Sequence, residues 1–313
     1  MTTTQINHPL PPDFQLDRYR IERQISLGGF SIVYLARDPD GTPVAIKEFL
    51  PNTLALRSEG AILPEIRAEH LGAFNHGLKC FFEEGRALAK LNHPNVVRVL
   101  NFFRANATVY MVMQYEEGRT LREHVMKKSG KVSESFMRVV FSRLLNGLRE
   151  VHAQRILHLD IKPSNIYLRT DGNPVLLDFG ASRQALEKDS SLRPTYTPGF
   201  AAPEQYEAQD QLGPWTDIYA IGATMYACLA QSSPTAANLR LKGKTLEPAT
   251  KRWQGKYSAQ LLETIDWCMQ LDYLERPMSV FALQKSLVDL PDDGARDNWL
   301  TTLNRRLRDK VKK

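Results

Sequence analysis

The sequence predicts an α+β protein in which strands come first along the chain and helices follow. Between residues 19 and 49, short stretches rich in β-branched and aromatic residues are separated by turn residues, which is typical of an antiparallel meander. After Gly118, apolar residues recur three and four positions apart, which indicates amphipathic helices. Because the two kinds of element are segregated along the chain, these observations favour an α+β architecture.

The strand-rich part is predicted to begin near residue 19, after a polar, proline-rich lead-in, residues 1–17, that we expect to be flexible. Its first strands are predicted in "YRIERQIS", "IVYLAR" and "PVAIKEF", separated by a glycine pair and by "DPDG". Residues 51–77 have a mixed composition without a clean period, and we interpret them as an insertion. A helix over residues 78–91 is predicted next, followed by strands around "VVRVLNFF" and "TVYMVMQY".

The helix-rich part is predicted to open with a long amphipathic helix behind Ser133, which is a candidate N-cap. Helices dominate again over residues 216–287. Between these helices, residues 156–214 are predicted as loops and short strands, and most of the polar chemistry is concentrated there. The last segment, residues 291–313, predicts a separate basic amphipathic helix with Trp299 on its apolar side.

The composition excludes several classes of protein. With 42% hydrophobic and 24% charged residues, the 313-residue chain has the make-up of a globular protein, and its sequence contains no apolar run long enough for a membrane span. Its three cysteines are far apart, with neither zinc spacing nor a disulfide pattern, and no secretory signal is visible, so we expect a cytoplasmic protein. Seven basic and two acidic residues within 296–313 account for most of the net charge of +6, so no nucleic-acid partner is expected.

Four polar residues in the central loops form the main candidate site. "HLDIKPSN" places Lys162 and Asn165 close to Asp160, and "VLLDFG" ends an apolar strand at Asp178. A single aspartate in a loop is most often a turn former or a helix cap. Two carboxylates and an asparagine at strand and loop ends, however, offer the oxygen ligands that Mg²⁺ prefers and often shares with phosphates.

A glycine turn and a strand lysine indicate where phosphates would bind. Gly28 and Gly29 lie between two predicted strands, and glycine lets the backbone approach an anion closely, although most such pairs are simple turns. Lys47 follows three apolar residues in "VAIK", so we expect it over a covered sheet face, where it needs a counter-ion. Glu84 on the following helix is the candidate partner, and Glu83 is its rival, about 100° round the helix.

In this order, these pieces resemble the motifs of a eukaryotic-type, or Hanks-type, serine/threonine protein kinase, with closer similarity to bacterial members. "SLGGFSIV" is similar to the glycine-rich loop, "VAIK" to the third-strand lysine motif, "HLDIKPSN" to the catalytic loop and "DFG" to the metal-binding turn. "AAPE" resembles the end of the activation segment, "WTDIYAIG" the start of the central helix, and "LERP" the motif whose arginine, here Arg276, pairs with Glu204. The resemblance covers residues 18–290 and implies a two-lobed kinase fold, with an N-lobe of residues 18–115 and a C-lobe of residues 116–290.

The resemblance implies a role for each matching residue. Asp160 would accept or orient the proton of the substrate hydroxyl, and Lys162 would steady the transferred phosphoryl group. Asn165, as a further catalytic-loop residue, and Asp178 would bind Mg²⁺, or Mn²⁺ in its place. The ATP site would comprise Leu27, Gly28, Gly29, Phe30, Ser31, Val33 and Ala45, then Lys47 paired with Glu84, then the gatekeeper Met113 and the hinge residues Gln114, Tyr115 and Glu116. Lys162 and Thr197 match members directed to serine and threonine, which implies protein substrates with these acceptors.

Two departures from the family pattern affect these expectations. Ser26 and Ser31 replace two glycines of the glycine-rich loop, which leaves open how tightly that loop closes over ATP. Leu159 stands where most members carry an arginine that binds a phosphate on the activation segment, and leucine has neither charge nor donor. Our hypothesis is that this chain does not use that phosphate to organise its catalytic loop; the alternative is that Leu159 merely packs in the core. Candidate phosphorylation sites in the segment are Ser190, Ser191, Thr195, Tyr196 and Thr197.

Two further segments carry open alternatives. The histidines of the insertion, His70 and His76, are predicted to be solvated rather than to bind a metal, and the insertion is expected to cover the helix that bears Glu84. The basic tail, residues 291–313, either packs on the C-lobe through Trp299 or docks on an acidic partner or an anionic membrane surface.

Two other functions remain as alternatives at this point. A pseudokinase that holds partners without transferring phosphate would fit the thin glycine-rich loop, although the full set of polar residues speaks against it. A small-molecule kinase on a related fold is disfavoured by "AAPE" and the segment around Thr197, which resemble a platform for a peptide.

Overall fold

The computed structural model describes residues 6–127, 132–179, 196–207 and 209–288. The tail, residues 291–313, and the candidate phosphorylation sites Ser190, Ser191 and Thr195 lie outside these residues. The strands of the N-terminal part are β1 (Gln15–Leu16), β2 (Tyr19–Leu27), β3 (Ser31–Arg37), β4 (Pro43–Phe49), β5 (Ala55–Leu56), β6 (Glu65–Ile66), β7 (Val99–Ala105) and β8 (Thr108–Gln114). Six of them form an antiparallel sheet in the order β1-β2-β3-β4-β8-β7, which confirms the predicted meander.

The C-terminal part is mainly helical, as predicted. After α1 (Leu71–Leu88), which packs on the sheet, the helices are α2 (Leu121–Lys127), α3 (Glu134–Ala153), α4 (Pro203–Glu207), α5 (Pro214–Ala230), α6 (Ala237–Leu241), α7 (Ala249–Arg252), α8 (Ala259–Cys268) and α9 (Val280–Val288). Three short strands, β9 (Gly118–Thr120), β10 (Ile166–Arg169) and β11 (Pro174–Leu176), form a small antiparallel sheet among them. The Ser133 hydroxyl accepts a hydrogen bond from the backbone N–H of Phe136, which confirms the predicted N-cap of α3.

Two hydrophobic cores correspond to the two lobes. One lies between the large sheet and α1, and the other surrounds α5, whose residues 216–229 are all buried. A helix that is apolar on all sides must be enclosed by other elements, and α5 is packed against α8. The structure therefore has the two-lobed α+β architecture expected from the sequence.

The N-terminal segment was expected to be flexible, and that expectation is wrong for residues 6–17. The buried side chain of Asn7 donates to the carbonyl of Leu50 at 3.1 Å and accepts from the backbone N–H of Arg57 at 2.6 Å. Leu10 is buried in the core of the N-lobe, and its N–H donates to the Tyr34 hydroxyl at 3.1 Å. A polar, proline-rich segment is thus fixed because the insertion and neighbouring parts of the N-lobe supply its hydrogen-bond partners.

A fully buried ion pair ties the insertion to the sheet. The Arg57 guanidinium binds the Glu48 carboxylate through two hydrogen bonds, of 2.6 and 2.7 Å, and both side chains have no exposed surface. The hydroxyls of Tyr34 and Tyr110 donate to the same carboxylate, each at 2.7 Å. Burial of a carboxylate and a guanidinium is tolerated here because each charge is paired and hydrogen-bonded.

The helix that bears Glu84 begins at Leu71, so the prediction that it starts at residue 78 was wrong. Phe74 occupies the added turn and packs against Phe49 of β4, with ring centroids 5.5 Å apart. Gly72 and Gly77 are weak helix formers, so this first part of the helix was not recognised from the sequence. The remainder of the insertion forms the β5–β6 hairpin and a 3-10 turn, Ala68–His70.

The described residues contain neither a helix long and apolar enough to cross a bilayer nor a cluster of three His, Cys, Asp or Glu side chains suited to a metal ion. His70 instead lies 3.6 Å from Glu69, and the exposed His76 lies 3.6 Å from the Cys80 sulfur.

Candidate active site

A cavity of about 490 Å³ lies between the two lobes and contains nearly all of the predicted site residues. Its lining includes, from the prediction, Leu27, Gly28, Gly29, Phe30, Ser31, Val33, Ala45, Lys47, Met113, Gln114, Tyr115, Glu116, Asp160, Lys162, Asn165 and Asp178. Glu84 is the one predicted residue that is not part of this lining. The cavity is also lined by residues that were not among the predicted site residues: Ile25, Ser26, Val97, Thr120, Ser164, Tyr167 and Leu177. Most of these are apolar or small residues, which give no distinctive signal in a single sequence.

Lys47 lies on β4 with its ammonium directed into this cavity. Its Nζ is 3.3 Å from Oδ1 of Asp178 and 5.7 Å from the centre of the Phe81 ring on α1. Lys47 is almost fully buried, whereas the Asp178 side chain is 40% exposed. The lysine predicted from "VAIK" therefore has the counter-ion that its burial requires, and that counter-ion is the aspartate of "DFG".

The choice between the two glutamates of α1 is decided by burial. Glu84 is buried, while the Glu83 side chain is 56% exposed and lies 3.9 Å from Arg86 on the helix surface. Glu84 therefore occupies the face of α1 that is turned toward the protein interior. This placement favours Glu84 over Glu83 as the partner of Lys47, and the pairing itself stays a prediction.

Lys162, Asn165 and Thr197 hold the carboxylate of Asp160. Its Oδ2 accepts hydrogen bonds from Lys162 Nζ at 2.8 Å and Asn165 Nδ2 at 2.9 Å. Its Oδ1 accepts from the Thr197 hydroxyl at 2.9 Å, and that hydroxyl in turn accepts from Lys162 Nζ at 2.9 Å. Asp160 is buried. These hydrogen bonds fix the orientation of its carboxylate and keep it next to the Lys162 ammonium.

The backbone of the catalytic loop is held from two sides. The buried Asp217 carboxylate, at the start of α5, accepts from the N–H groups of His158 at 2.9 Å and Leu159 at 2.8 Å. The Gln205 side-chain amide donates to the Leu159 carbonyl at 3.1 Å. Leu159 has a φ of +63°, in the left-handed region that a leucine rarely adopts. Hydrogen bonds to the Leu159 backbone maintain this conformation.

Asp217 and Gln205 hold the backbone of this loop, and the sequence reasoning missed both. "WTDIYAIG" and "AAPE" located the surrounding elements, but neither pattern indicates that a side chain reaches back to residue 159. Burial alone would raise the pKa of Asp217, yet the hydrogen bond from His152 Nε2 at 2.8 Å and the proximity of His158 hold this pKa below its usual value. Asp217 therefore remains a carboxylate, able to accept from both backbone groups.

The hinge begins at the last residue of β8. Met113 is buried near the end of that strand, and Gln114, Tyr115 and Glu116 continue along the cavity. Glu116 binds Arg169 of β10 through two hydrogen bonds, of 2.6 and 2.7 Å. This bidentate pair links the hinge to the C-lobe, with the geometry that makes arginine–carboxylate pairs specific.

The glycine-rich turn is closed by its own backbone and by the start of the insertion. The Gly28 N–H donates to the Ser31 carbonyl at 2.9 Å, and the carbonyls of Gly29 and Phe30 accept from Asn52 and Leu50, each at 2.9 Å. The Gly28 amide is thus already engaged within the turn. The insertion, which follows β4, consequently contributes to the position of the glycine-rich loop.

The pairing predicted between the "AAPE" and "LERP" motifs is confirmed. Arg276 donates to the two carboxylate oxygens of Glu204 at 2.8 and 3.0 Å, and both residues are buried. The Thr216 hydroxyl also donates to Glu204, at 2.8 Å. These contacts anchor the end of the activation segment to the core of the C-lobe.

Comparison with known proteins decides the family. The family profile described as "Protein kinase domain" matches residues 19–288. The chain belongs to the protein kinase family. The apo form of PpkA-294 has 34% sequence identity to this kinase and a TM-score of 0.81, and the match covers 89% of this chain and 99% of that one.

Bacterial serine/threonine kinases are among the relatives. Serine/threonine-protein kinase D of Synechocystis is 28% identical over 90% of this chain and 54% of its own length. Serine/threonine-protein kinase B of the same organism is 30% identical over 69% of this chain and 37% of its own. The resemblance to Hanks-type kinases, including bacterial ones, is thereby confirmed. The chain spans about a third to somewhat over half of the length of the curated relatives it matches, from 32% to 57%.

Proposed function

We propose that this kinase transfers the γ-phosphoryl group of ATP to serine or threonine hydroxyls of protein substrates. The observation that carries the proposal is the arrangement of Asp160, Lys162 and Thr197, in which a carboxylate, an ammonium and a hydroxyl lie within 2.9 Å of one another. The cavity beside them is lined by the residues expected to bind the nucleotide. The membership of the family supports the same reaction.

Each group has a distinct part in the transfer. A bond forms between the acceptor oxygen and the γ-phosphorus while the bond from that phosphorus to the bridging oxygen of ADP breaks. The acceptor proton passes to Asp160, and Lys162 stabilises the negative charge on the transferred group. Phosphoryl transfer depends mainly on positioning and charge neutralisation, which fixed polar groups in a partly enclosed site provide.

Two oxygen-bearing side chains in the cavity lining, Asn165 and Asp178, are suited to bind a divalent cation. Asn165 uses its amide nitrogen on Asp160, at 2.9 Å from both the backbone carbonyl and the carboxylate, which leaves its amide oxygen as the acceptor atom. The partly exposed Asp178 carboxylate supplies the second oxygen ligand. Asn165 and Asp178 would thus hold Mg²⁺ or Mn²⁺, and the cation would supply charge neutralisation of the phosphates.

An activity assay with a nearly isosteric variant tests the proposal. The full chain and Asp160→Asn would be incubated with radiolabelled ATP, Mg²⁺, and one acidic and one basic generic acceptor protein. We expect transfer by the wild type to serine or threonine, and a loss of roughly 100-fold or more in the variant, since the proton acceptor is removed. Binding of a fluorescent ATP analogue to both proteins checks that the nucleotide site survives.

The outcome separates this function from its rivals. Equal signals from wild type and Asp160→Asn would favour a pseudokinase that only holds partners. Phosphorylation of small alcohols without any protein acceptor would favour a small-molecule kinase. A partner of acidic character or an anionic membrane surface for the tail, residues 291–313, and a cytoplasmic location remain predictions from the sequence.

A further inference from the structure

A second cavity, of about 380 Å³, lies beside the catalytic loop, between α2 and the C-terminal end of α5. We call it the flank cavity. Lys162 and Ser164 line both this cavity and the nucleotide cavity, and Thr197 lines the flank cavity as well. Because Lys162 and Thr197 both bind the Asp160 carboxylate, the flank cavity begins next to the predicted position of the acceptor hydroxyl.

This position determines what can enter the flank cavity. An extended peptide advances about 3.3–3.6 Å per residue, so residues one to three positions from the acceptor lie within roughly 10 Å of it. A volume of about 380 Å³ is sufficient for one or two side chains with their backbone. If the proposed function is right, the occupant is therefore the segment of the protein substrate that flanks its serine or threonine.

The floor of the flank cavity is apolar. Val125, Phe200 and Ala227 are all buried and form part of its lining, and Met126 at its rim is 57% exposed. An exposed methionine next to a buried apolar floor is suited to contact an incoming apolar side chain. One residue of the substrate flank is thus expected to be apolar.

The charge on the walls distinguishes between substrates. Among the described residues, the lining contains two cations, Arg122 and Lys162, and no carboxylate. Lys162 is neutralised by Asp160 at 2.8 Å, whereas the Arg122 guanidinium forms no ion pair with any carboxylate in the described part of the chain. The Arg122 backbone is fixed, since its N–H donates to the Pro163 carbonyl at 3.0 Å and so joins α2 to the catalytic loop.

We propose that the flank cavity binds the substrate residues next to the acceptor, and that Arg122 selects an anionic side chain there and rejects lysine or arginine. Attraction and repulsion at one partly exposed charge change the preference between an acidic and a basic flank by roughly five- to tenfold. The selected anion is an aspartate or glutamate, or a residue that is already phosphorylated, because each presents oxygens to the same guanidinium.

A peptide array tests this proposal on the full chain. Peptides with a central serine would carry Asp, phosphoserine, Leu, Ala or Lys at each of three positions on either side, and kcat/KM would be measured for wild type, Arg122→Glu and Arg119→Glu. Arg119 is exposed on β9, three residues away, and does not line the cavity, so it is a control for the change of charge alone. Arg122→Gln serves as a milder second variant.

We expect the wild type to favour acidic over lysine flanks by about fivefold or more in at least one position, with Arg119→Glu unchanged. Arg122→Glu should reverse this preference and Arg122→Gln should abolish it, with the KM for ATP the same in all four proteins. A wild type that phosphorylates all peptides alike or prefers lysine, or a preference that survives Arg122→Glu, would overturn the inference while leaving the proposed function intact. A wild type that binds ATP and phosphorylates no peptide or protein would instead refute the proposed function, and this inference with it.

Discussion

The hydroxyl of Thr197 bridges the Asp160 carboxylate and the Lys162 ammonium, although 37 residues separate Thr197 from Asp160 along the chain. A group at the end of the activation segment thereby adds a hydrogen bond to the carboxylate that we propose accepts the substrate proton. The Glu204–Arg276 pair, shortly after Thr197, fixes the same stretch of chain to the C-lobe core. The position of this segment and the orientation of Asp160 are therefore coupled through side-chain hydrogen bonds.

Replacement of Thr197 tests this coupling. Thr197→Ala removes a hydrogen bond to each of Asp160 and Lys162, and we expect kcat to fall roughly 10- to 100-fold because the two groups lose their fixed geometry. Thr197→Ser keeps the hydroxyl and should retain most of the activity. Steady-state kinetics with one protein substrate would measure both. A fall of similar size in the two variants would indicate that the methyl group, and not the hydroxyl, is what matters.

Removal of Arg276 is expected to reduce stability strongly. Arg276→Met leaves the buried Glu204 charge unpaired and three backbone carbonyls, at Trp215, Gln270 and Leu271, without their donor. The free energy of unfolding should fall by about 3–5 kcal/mol, measured by urea denaturation. The double variant with Glu204→Gln should lose clearly less than the two single variants added together. Additive losses would show that the pair is not energetically coupled.

Nearly all of the residues that the sequence reasoning proposed for the site line one cavity, because the kinase motifs place particular residues at particular spacings. The strand that carries Lys47, the loop of Asp160 and the Glu204–Arg276 pair were all placed correctly from short motifs. These motifs combine a functional residue with local turn or strand signals, so each is recognisable without knowledge of the rest of the fold.

The features that were missed depend on contacts between distant parts of the chain. Asp217 reaches the backbone of Leu159 across 58 residues, and Asn7 reaches Arg57 across 50. Asp217 lies in "WTDIYAIG", a motif that indicated only the start of a helix, and Asn7 lies in an ordinary lead-in. Burial of a polar side chain is a property of the tertiary structure, and a single sequence gives no direct sign of it.

The N-terminal segment is predicted to contribute to stability. Deletion of residues 1–10 removes Asn7 from the Arg57 and Leu50 backbone and takes the buried Leu10 out of the core. We expect the free energy of unfolding to fall by about 2–4 kcal/mol, from lost hydrogen bonds and apolar burial. Deletion of residues 1–5 keeps all of these contacts and is the matched control. Equal stability of the two truncated proteins in thermal and urea denaturation would contradict the prediction.

The buried His158 predicts a pH dependence of stability. Its Nε2 donates to the Leu177 carbonyl at 3.0 Å while its Nδ1 accepts from the Asp160 N–H at 3.4 Å, so the folded protein holds the neutral ring. Burial lowers the pKa of His158, despite the nearby carboxylate of Asp217. Below about pH 6.5 the unfolded state therefore binds a proton that the folded state does not. As the pH is lowered through this range, the free energy of unfolding decreases by up to about 1.4 kcal/mol per pH unit.

Urea denaturation between pH 5 and 8 measures this slope. His158→Gln should be less stable at every pH, because the ring also stacks on Phe179 at 4.3 Å, but its stability should fall less steeply below pH 6.5. His76→Gln, at an exposed position, is the matched control for the exchange of histidine for glutamine. Parallel curves for His158→Gln and wild type would show that His158 does not carry the pH dependence.

Leu159 leads to the last prediction, which concerns regulation. In this structure the Leu159 backbone is held by Asp217 and Gln205, so we expect the conformation of the catalytic loop not to depend on a side chain that would bind a phosphate. Alanine at Ser190, Ser191 and Thr195 together should therefore leave kcat/KM within about threefold of the wild type, as expected when no organised contact is lost. Protein treated with phosphatase before the assay should behave in the same way, and the comparison excludes effects of the substitutions themselves. Loss of activity in the triple variant, with an unchanged unfolding curve, would show that a phosphate on this segment is required after all, and that the half-buried Leu159 has no regulatory meaning.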